Sequence, residues 1–555
     1  MGRATTEARP ISNHPAFTVL HRATSLADLE DRRRMVVRIE GHQIALFRTR
    51  DGVRAVANQC PHEGYPLAEG SLSDDCVLTC NWHNWKFDLD SGETLVGGDR
   101  VRIYPVEIRD GEVFVDLTEP PACEQIDRSW SALEEAFRDH DYSRLAREIG
   151  RLLRNDVSTT EITARAFDWA HDRLEFGMTH AQAAAADWLA LHDAEVTSGH
   201  EDTAIVTILE AVGHLSWDTL REPAYPYPEG TRTWDADELV DAIEREDEPA
   251  AIAIVRGFLT DRHPCEELEH ALARAALAHY QDYGHSAIYV YKTGQLVERF
   301  GPTPWLLFPL VRSLIYASRE DQIPEFRGYA PARKLWSEGP AVPTEDGMKE
   351  RPEPRIDPAG FRGISVNKAL EHCLTVDVTD PRSRLALFDA LLDASAWTML
   401  HFDERWMHGT DQPISKNAAW LDFTHTLTFA NAVHRLATRY PDLWPAGLLQ
   451  MACFVGRLRP FLDTELDASR WRVDDADGFL RDTRSHLFDH GSAEYIISAH
   501  WVKVWAAVDE EVRSRDDAPW AMPVLAATRR FFEASHKRKH ALRTVRQALR
   551  FVKSE

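Results

Sequence analysis

Cys60-Pro61-His62-Glu63-Gly64-Tyr65-Pro66, followed by Cys80-Asn81-Trp82-His83-Asn84-Trp85-Lys86-Phe87-Asp88, decides how the front of this chain folds. Two thiols and two imidazoles stand in two short segments, with 17 residues between His62 and Cys80. Such a donor set points to metal. Zinc is one reading, because two cysteines and two histidines also make a structural finger site. Finger spacing, however, keeps cysteine with cysteine and histidine with histidine, whereas each pair here is mixed.

The pattern Cys-x-His and Cys-x-x-His is the ligand set of a Rieske [2Fe-2S] cluster, in which two thiolates hold one iron and two imidazoles the other. Gly64, Pro66 and Gly70 after the first pair, and Ser91-Gly92-Glu93 after the second, add to the likeness. The chain resembles a Rieske domain from about Phe17 to Leu117, with Gly111-Glu112-Val113-Phe114-Val115 similar to its closing strand. The resemblance implies a [2Fe-2S] cofactor on Cys60, His62, Cys80 and His83 that passes single electrons. High-potential respiratory Rieske proteins carry a disulfide at two positions beside the cluster, and here those are Tyr65 and Trp82. Together with Trp85, this is similar to the Rieske domains of oxygenases and ferredoxins and implies a lower potential.

The remaining five cysteines, Cys76, Cys123, Cys265, Cys373 and Cys453, have no pairing spacing, which argues against a disulfide framework and for a reducing compartment. Met1 to Leu20 lacks the progression of a signal peptide, and no apolar run is long enough to span a membrane, so a cytoplasmic protein is expected. A formal net charge of -25 argues against nucleic acid or an anionic membrane as partner. One segment runs against that balance: Arg529-Arg530 through His536-Lys537-Arg538-Lys539-His540 to Arg550 and Lys553, with Leu542, Val545, Leu549 and Val552 at helical spacing. It reads as a terminal helix laying its apolar stripe on the acidic body, or as a docking helix for an acidic donor or membrane.

The 555 residues leave room for several domains, and the character of the chain changes after Thr118. Before it, runs such as Arg34–Ile39 and Gln43–Phe47 alternate like strands between Gly41 and Asp51-Gly52. The expected organisation is multidomain: an all-β Rieske domain over residues 15–118, a stiff linker over 119–128 containing Pro120-Pro121, and a large, mostly α-helical domain over 129–555. In the last, apolar residues recur at three- and four-residue intervals, as in Leu133, Phe137 and Leu145, Ile149, Leu152. Between Pro324 and Pro358 prolines and glycines exclude a continuous helix, leaving a lid, a binding loop or a plain surface insertion.

The Rieske oxygenase iron motif, Asp-x-x-His-x-x-x-x-His, is missing. Asp168-x-x-His171 and Asp422-x-x-His425 begin it, but Phe176 and Ala430 occupy the second histidine position. Four other histidines stand on apolar helical faces: His180, with Ala184 and Trp188; His285, in Gly284-His285-Ser286-Ala287-Ile288; His425, with Phe429 and Val433; and His500, with Ile496 and Ala507. Taken singly, each is better explained as a hydrogen-bonded core residue. Their order and spacing, with Phe308-Pro309-Leu310-Val311-Arg312, Glu320-Asp321-Gln322-Ile323-Pro324 and His500-Trp501-Val502-Lys503, resemble the questin oxidase-like family of helical oxygenases that cleave anthraquinone-type rings, over most of residues 155–510.

Imidazole suits ferrous iron, so the second cofactor expected is mononuclear Fe(II) on His180, His285, His425 and His500. Lys503 stands one turn from His500 among apolar neighbours. Desolvation favours its neutral amine, which captures carbon dioxide to become a carbamate ligand; the competing reading is a lysine that snorkels to the surface. The expected function is an oxygenase whose Rieske cluster delivers electrons to this iron, which activates O2 to oxidise, by ring cleavage or otherwise, an aromatic or quinone polyketide-like substrate. The alternative is a Rieske electron-transfer protein whose helical domain docks a separate redox partner. No Rossmann or flavin fingerprint occurs, so an external reductase or ferredoxin is the expected electron donor. Beyond a small aromatic substrate and O2, homo-oligomer formation stays open.

Overall fold

The structure, a computed structural model, describes residues 20–337, 354–408, 418–515, 517–536, 545–546 and 548–549. The chain divides into two compact units between Ala132 and Leu133.

The first unit is built from three small antiparallel sheets. β1 (Leu20–Ser25) pairs with β11 (Glu112–Asp116) and β11 with β10 (Val106–Arg109). A second sheet runs β2 (Arg34–Ile39), β3 (His42–Thr49), β4 (Gly52–Ala57), β9 (Ile103–Tyr104). A third runs β5 (Ser71–Leu72), β6 (Val77–Thr79), β7 (Lys86–Asp88), β8 (Thr94–Val96). The expected strands fall within β2, β3 and, apart from Gly111, β11. Glu40 and Gly41, both at positive φ, form the tight turn between β2 and β3 that suits the twist of a hairpin. β3 is buried on both faces: Ile44 and Leu46 join one core with Leu29, Val113 and Val115, while Ala45 and Phe47 join another. That second core contains Leu67, Leu78, Phe87, Cys60 and Cys80, so the two thiols are anchored in packed interior.

The second unit is helical. The linker differs from expectation, since the helix Ala122–Asp139, which runs through the division at Ala132 and Leu133, begins inside the stretch read as linker. The carbonyls of Pro120 and Pro121 accept from Gln125 Nε2 and N–H, which lets the helix start directly after the two prolines. Four helices, His180–Thr197, His285–Phe300, Trp420–Arg439 and Tyr495–Ser514, touch one another in a closed ring. Ala181 and Ala183 to Ala185 are fully buried on the first, and such small side chains let its neighbours approach closely. Within the stretch read as non-helical, Tyr329–Ser337 forms a helix, and residues 338–353 lie outside the described residues.

No described helix is long and apolar enough to cross a membrane. Of the basic C-terminal segment, Leu542 and Val552 lie outside the described residues. Val545 and Leu549 are 54% and 64% exposed. The expected burial of that stripe therefore does not occur at these two positions: each keeps most of its side chain in water.

Candidate metal centres

In the first unit two loops of matching build carry the four expected ligands. Gly64 N–H donates to the Cys60 carbonyl at 2.8 Å, and Cys60 N–H donates to Tyr65 at 2.9 Å. Asn84 N–H donates to Cys80 at 3.0 Å, and Cys80 N–H donates to Trp85 at 2.8 Å. Gly64 and Asn84 both take the left-handed conformation, at φ 76° and 62°, that closes such a knuckle; glycine and asparagine tolerate it best. The Nδ1 atoms of His62 and His83 come within 3.1 Å of each other. Cys60 and Cys80 are buried, and burial pushes the Cys60 thiol up, with Cys80 beside it adding to the rise. Two facing imidazole nitrogens beside two buried thiols are the donor set of a mixed cluster, whose iron would replace the thiol protons. Tyr65 and Trp82 occupy the flanking positions, and Trp85 stacks on His62 at 4.9 Å between ring centroids. The Tyr65 hydroxyl donates to Glu69 at 2.9 Å.

In the second unit the structure brings the four helical histidines together. His180 opens its helix behind Thr179, whose hydroxyl accepts from Ala181 N–H while Gln182 reaches back to Thr179 N–H, a reciprocal cap that fixes this end. His285 also opens its helix, directly after Gly284. A Cβ at Gly284 would lie 2.5 Å from Phe429 Cδ2, and its φ is +74°, so the position demands glycine. His425 and His500 project from the interiors of their helices and are buried.

The Nε2 atoms of His180 and His285 lie 3.1 Å apart, and those of His425 and His500 3.4 Å. One nitrogen each of His180, His425 and His500 falls within a 4.8 Å group, and the His285 ring centroid is 4.4 Å from that of His425. The Nδ1 atoms of His285 and His500 each sit 2.6 Å from a carbonyl, of Asp282 and Ile496. A carbonyl only accepts, so the proton belongs on Nδ1 and the Nε2 lone pair is free to ligate. Burial holds His180, His425 and His500 well below the usual histidine range, with Lys503 and the neighbouring histidines adding to the effect. With Nε2 of His285 and His500 free to ligate and Nε2 of His180 and His425 beside them, this donor set fits a divalent transition metal. Among the described residues no carboxylate joins the group.

Lys503 is 1% exposed and its Nζ has no hydrogen-bond partner. Burial lowers its pKa to about 7, opposed by Asp187 and reinforced by Lys292. It is therefore an interior residue and does not snorkel. His171 stays apart on a short turn, with Nδ1 2.6 Å from the Asp168 carbonyl, and Asp422 caps its own helix by accepting from Ala419 N–H.

Several residues near the histidines carried no sequence signal of their own. Lys292 Nζ donates to Asp187 at 2.7 Å in a buried pair, and burial pushes Asp187 up to about 6. Asp218 accepts from Thr179 Oγ1 at 2.6 Å, and burial raises it also to about 6. Tyr289 lies 5.4 Å from the His285 ring and 6.3 Å from that of His180. The one available clue was spacing: Asp187 follows His180, and Lys292 follows His285, by seven residues, two turns along one helical face.

Comparison with known proteins finds a family model described as the Rieske [2Fe-2S] domain at residues 20–104. The 4beta-methylsterol monooxygenase of Methylococcus capsulatus is 35% identical over 96 residues, 15% of this chain and 26% of that protein. The 3-phenylpropionate/cinnamic acid dioxygenase ferredoxin subunit of Escherichia coli is 35% identical over 78 residues, 14% of this chain and 74% of that protein. Among solved structures, the terminal oxygenase of carbazole 1,9a-dioxygenase from Nocardioides aromaticivorans is 27% identical, with a TM-score of 0.17, over 18% of this chain and 31% of its own. The chain thus spans about a quarter to a third of the two oxygenases, and all of these matches lie within a fifth of its own length or less.

Proposed function

The chain belongs to the Rieske [2Fe-2S] family through residues 20–104, and from that premise we propose that it is an oxygenase whose second unit holds a mononuclear non-haem iron on His180, His285, His425 and His500. The observation that carries this reading is the convergence of those four imidazoles, with Nε2 pairs at 3.1 and 3.4 Å, from four separate helices. When bound, the [2Fe-2S] cluster supplies single electrons and the ferrous ion supplies a site for O2.

The chain's own residues divide the remaining work. Cys60, His62, Cys80 and His83 hold the cluster, and an external reductase or ferredoxin charges it. Asp282 and Ile496 keep the proton of His285 and His500 on Nδ1, so that Nε2 faces the metal. His285 is 14% exposed, whereas His425 and His500 are buried, so the open edge lies toward His285 and His180. Tyr283, 6.1 Å from the His425 ring, offers aromatic surface to a flat aromatic or quinone substrate, and the buried Tyr289 packs 5.4 Å from the His285 ring. Asp218, poised near pH 6 beside Thr179 at the start of the His180 helix, is a carboxyl able to give or take a proton. Resemblance to the questin oxidase-like family supports a polyketide-like substrate and ring cleavage.

Lys503 completes the donor set as a carbamate: its neutral nitrogen adds to the carbon of carbon dioxide, one proton leaves for solvent, and an anionic oxygen results. Its burial, its unpartnered Nζ and the lack of a carboxylate in the group among the described residues support this role.

Iron analysis tests the reading. Protein with its cluster assembled should carry a third iron beyond the cluster's two, and His425→Ala should lose that iron and the O2 uptake while keeping the reduced-cluster EPR signal. An unchanged iron count in His425→Ala instead favours the Rieske electron-transfer protein, a reading supported by the 74% coverage of a ferredoxin subunit.

A further inference from the structure

Three successive residues ahead of His285 occupy the left-handed region: Asp282 at φ 46°, Tyr283 at 51° and Gly284 at 74°. Glycine does so freely, but a tyrosine there crowds its Cβ against backbone, a conformation that persists only where the surroundings over-determine it. The surroundings here do so. Asp282 N–H donates to Ser318 at 3.1 Å and Gly284 N–H to Gln281 at 2.8 Å. Tyr283 N–H donates to Glu320 Oε2 at 3.4 Å, and the same oxygen accepts from Arg457 at 2.7 Å. The Arg457 guanidinium lies 3.5 Å from the centre of the Tyr283 ring, with Tyr280 and Phe326 around it at 6.0 and 5.3 Å.

Two consequences point at the histidine centre. The turn delivers the Asp282 carbonyl to His285 Nδ1 at 2.6 Å, which sets the direction of Nε2. It also sets the Tyr283 ring 6.1 Å from His425. Backbone strain of this kind gathers at sites where geometry matters more than local stability.

We infer that Tyr283, clamped between Arg457 and Glu320, is a positioning residue that holds the strained turn aiming His285 into the four-histidine centre. The inference rests on those histidines binding a metal. Tyr283 itself donates nothing to the ion; it acts through the backbone on either side of it. A clamp of merely structural use would alter stability and leave metal affinity alone.

Cobalt(II) titration, read by visible absorption on the full chain with its cluster in place and the helical centre cleared of iron by chelation, separates the cases. Wild type is expected to bind one cobalt ion. Tyr283→Gly, which removes the ring, should weaken that binding by about tenfold or more. Tyr283→Phe, which keeps the ring under Arg457, should retain the wild-type affinity. Arg457→Gln should weaken binding in the same sense and decides the matter if Tyr283→Gly does not fold. Wild-type affinity in both Tyr283→Gly and Arg457→Gln overturns the inference while the centre stands. A wild type that binds no cobalt removes the centre and the inference together.

Discussion

His180 and His285 bring their Nε2 atoms to 3.1 Å although 105 residues separate them in the chain. Each opens a helix, and at His180 burial, with Lys503 and the neighbouring histidines, disfavours the protonated ring. A bound divalent ion would take both Nε2 atoms as ligands. Adding cobalt(II) to iron-depleted protein at a hundredfold excess over its Kd should stabilise the fold by about 2.7 kcal/mol, and His180→Ala should abolish the gain. Equal stabilisation of wild type and variant would place the ion elsewhere.

Lys503 should form its carbamate only where the amine is neutral. Its pKa is lowered to about 7, so the neutral form grows as pH rises through that value, whereas an exposed lysine stays charged until above about pH 10. Carbon-13 NMR under labelled carbon dioxide should show a carbamate carbon that increases from about pH 6 to about pH 8 and is absent in Lys503→Ala. No signal at any pH in wild type sinks the carbamate.

Gly284 joins the strained turn to the His285 helix. Alanine there meets a φ of +74° and sets its Cβ 2.5 Å from Phe429 and 3.0 Å from Phe454. Gly284→Ala should therefore lower stability by about 2 kcal/mol in denaturant titration, with loss of the third iron, because the His285 ring shifts with its backbone. Unchanged stability and iron content would show that the turn relaxes freely.

The cluster loops were legible because ligation is local: Cys60 with His62 and Cys80 with His83 declare themselves by spacing, and β2, β3 and β11 follow from two-residue alternation. The four helical histidines were not legible in this way. Nothing in a single apolar face tells a ligand from a core histidine, and only the joint spacing and a family resemblance nominated them. Asp187 with Lys292, and Asp218 with Thr179, could not be paired from sequence because each contact joins different elements; only the seven-residue spacing of Asp187 from His180 and of Lys292 from His285 hinted at the first pair. Val545 and Leu549 show the opposite failure, a helical stripe in sequence whose side chains remain in water.

His279 precedes the strained turn and bridges two carboxylates, with Nδ1 2.8 Å from Asp321 and Nε2 3.0 Å from both Glu244 oxygens; Arg319 also approaches Glu244 at 3.6 Å. The hydrogen bond to Asp321, then that to Glu244, raises its pKa against the effect of burial. A raised histidine contributes stability that is fully present below its unfolded value of about 6.5 and is lost as pH rises through the folded value. His279→Gln should cost about 1.5 kcal/mol near pH 6 and little near pH 9. A pH-independent loss would mean that the imidazole acts without its charge.

Tyr65 bears on the cluster's potential. Hydrogen bonds to the cluster sulfurs raise the potential, but the Tyr65 hydroxyl is committed to Glu69 at 2.9 Å. Cys60, Cys76 and Cys80 are free cysteines, so no disulfide stiffens either loop. Both features should set the potential of a bound cluster toward the low end of the Rieske range, about -150 mV. Because the hydroxyl is committed to Glu69, Tyr65→Phe should move the midpoint in a redox titration by less than about 60 mV, one decade for a one-electron couple. A larger fall would show that the hydroxyl turns to the cluster once it is assembled. Glu69→Gln, which removes the acceptor's charge and frees the hydroxyl to turn, should then raise the potential, and in Tyr65→Phe the same Glu69 change should have no such effect.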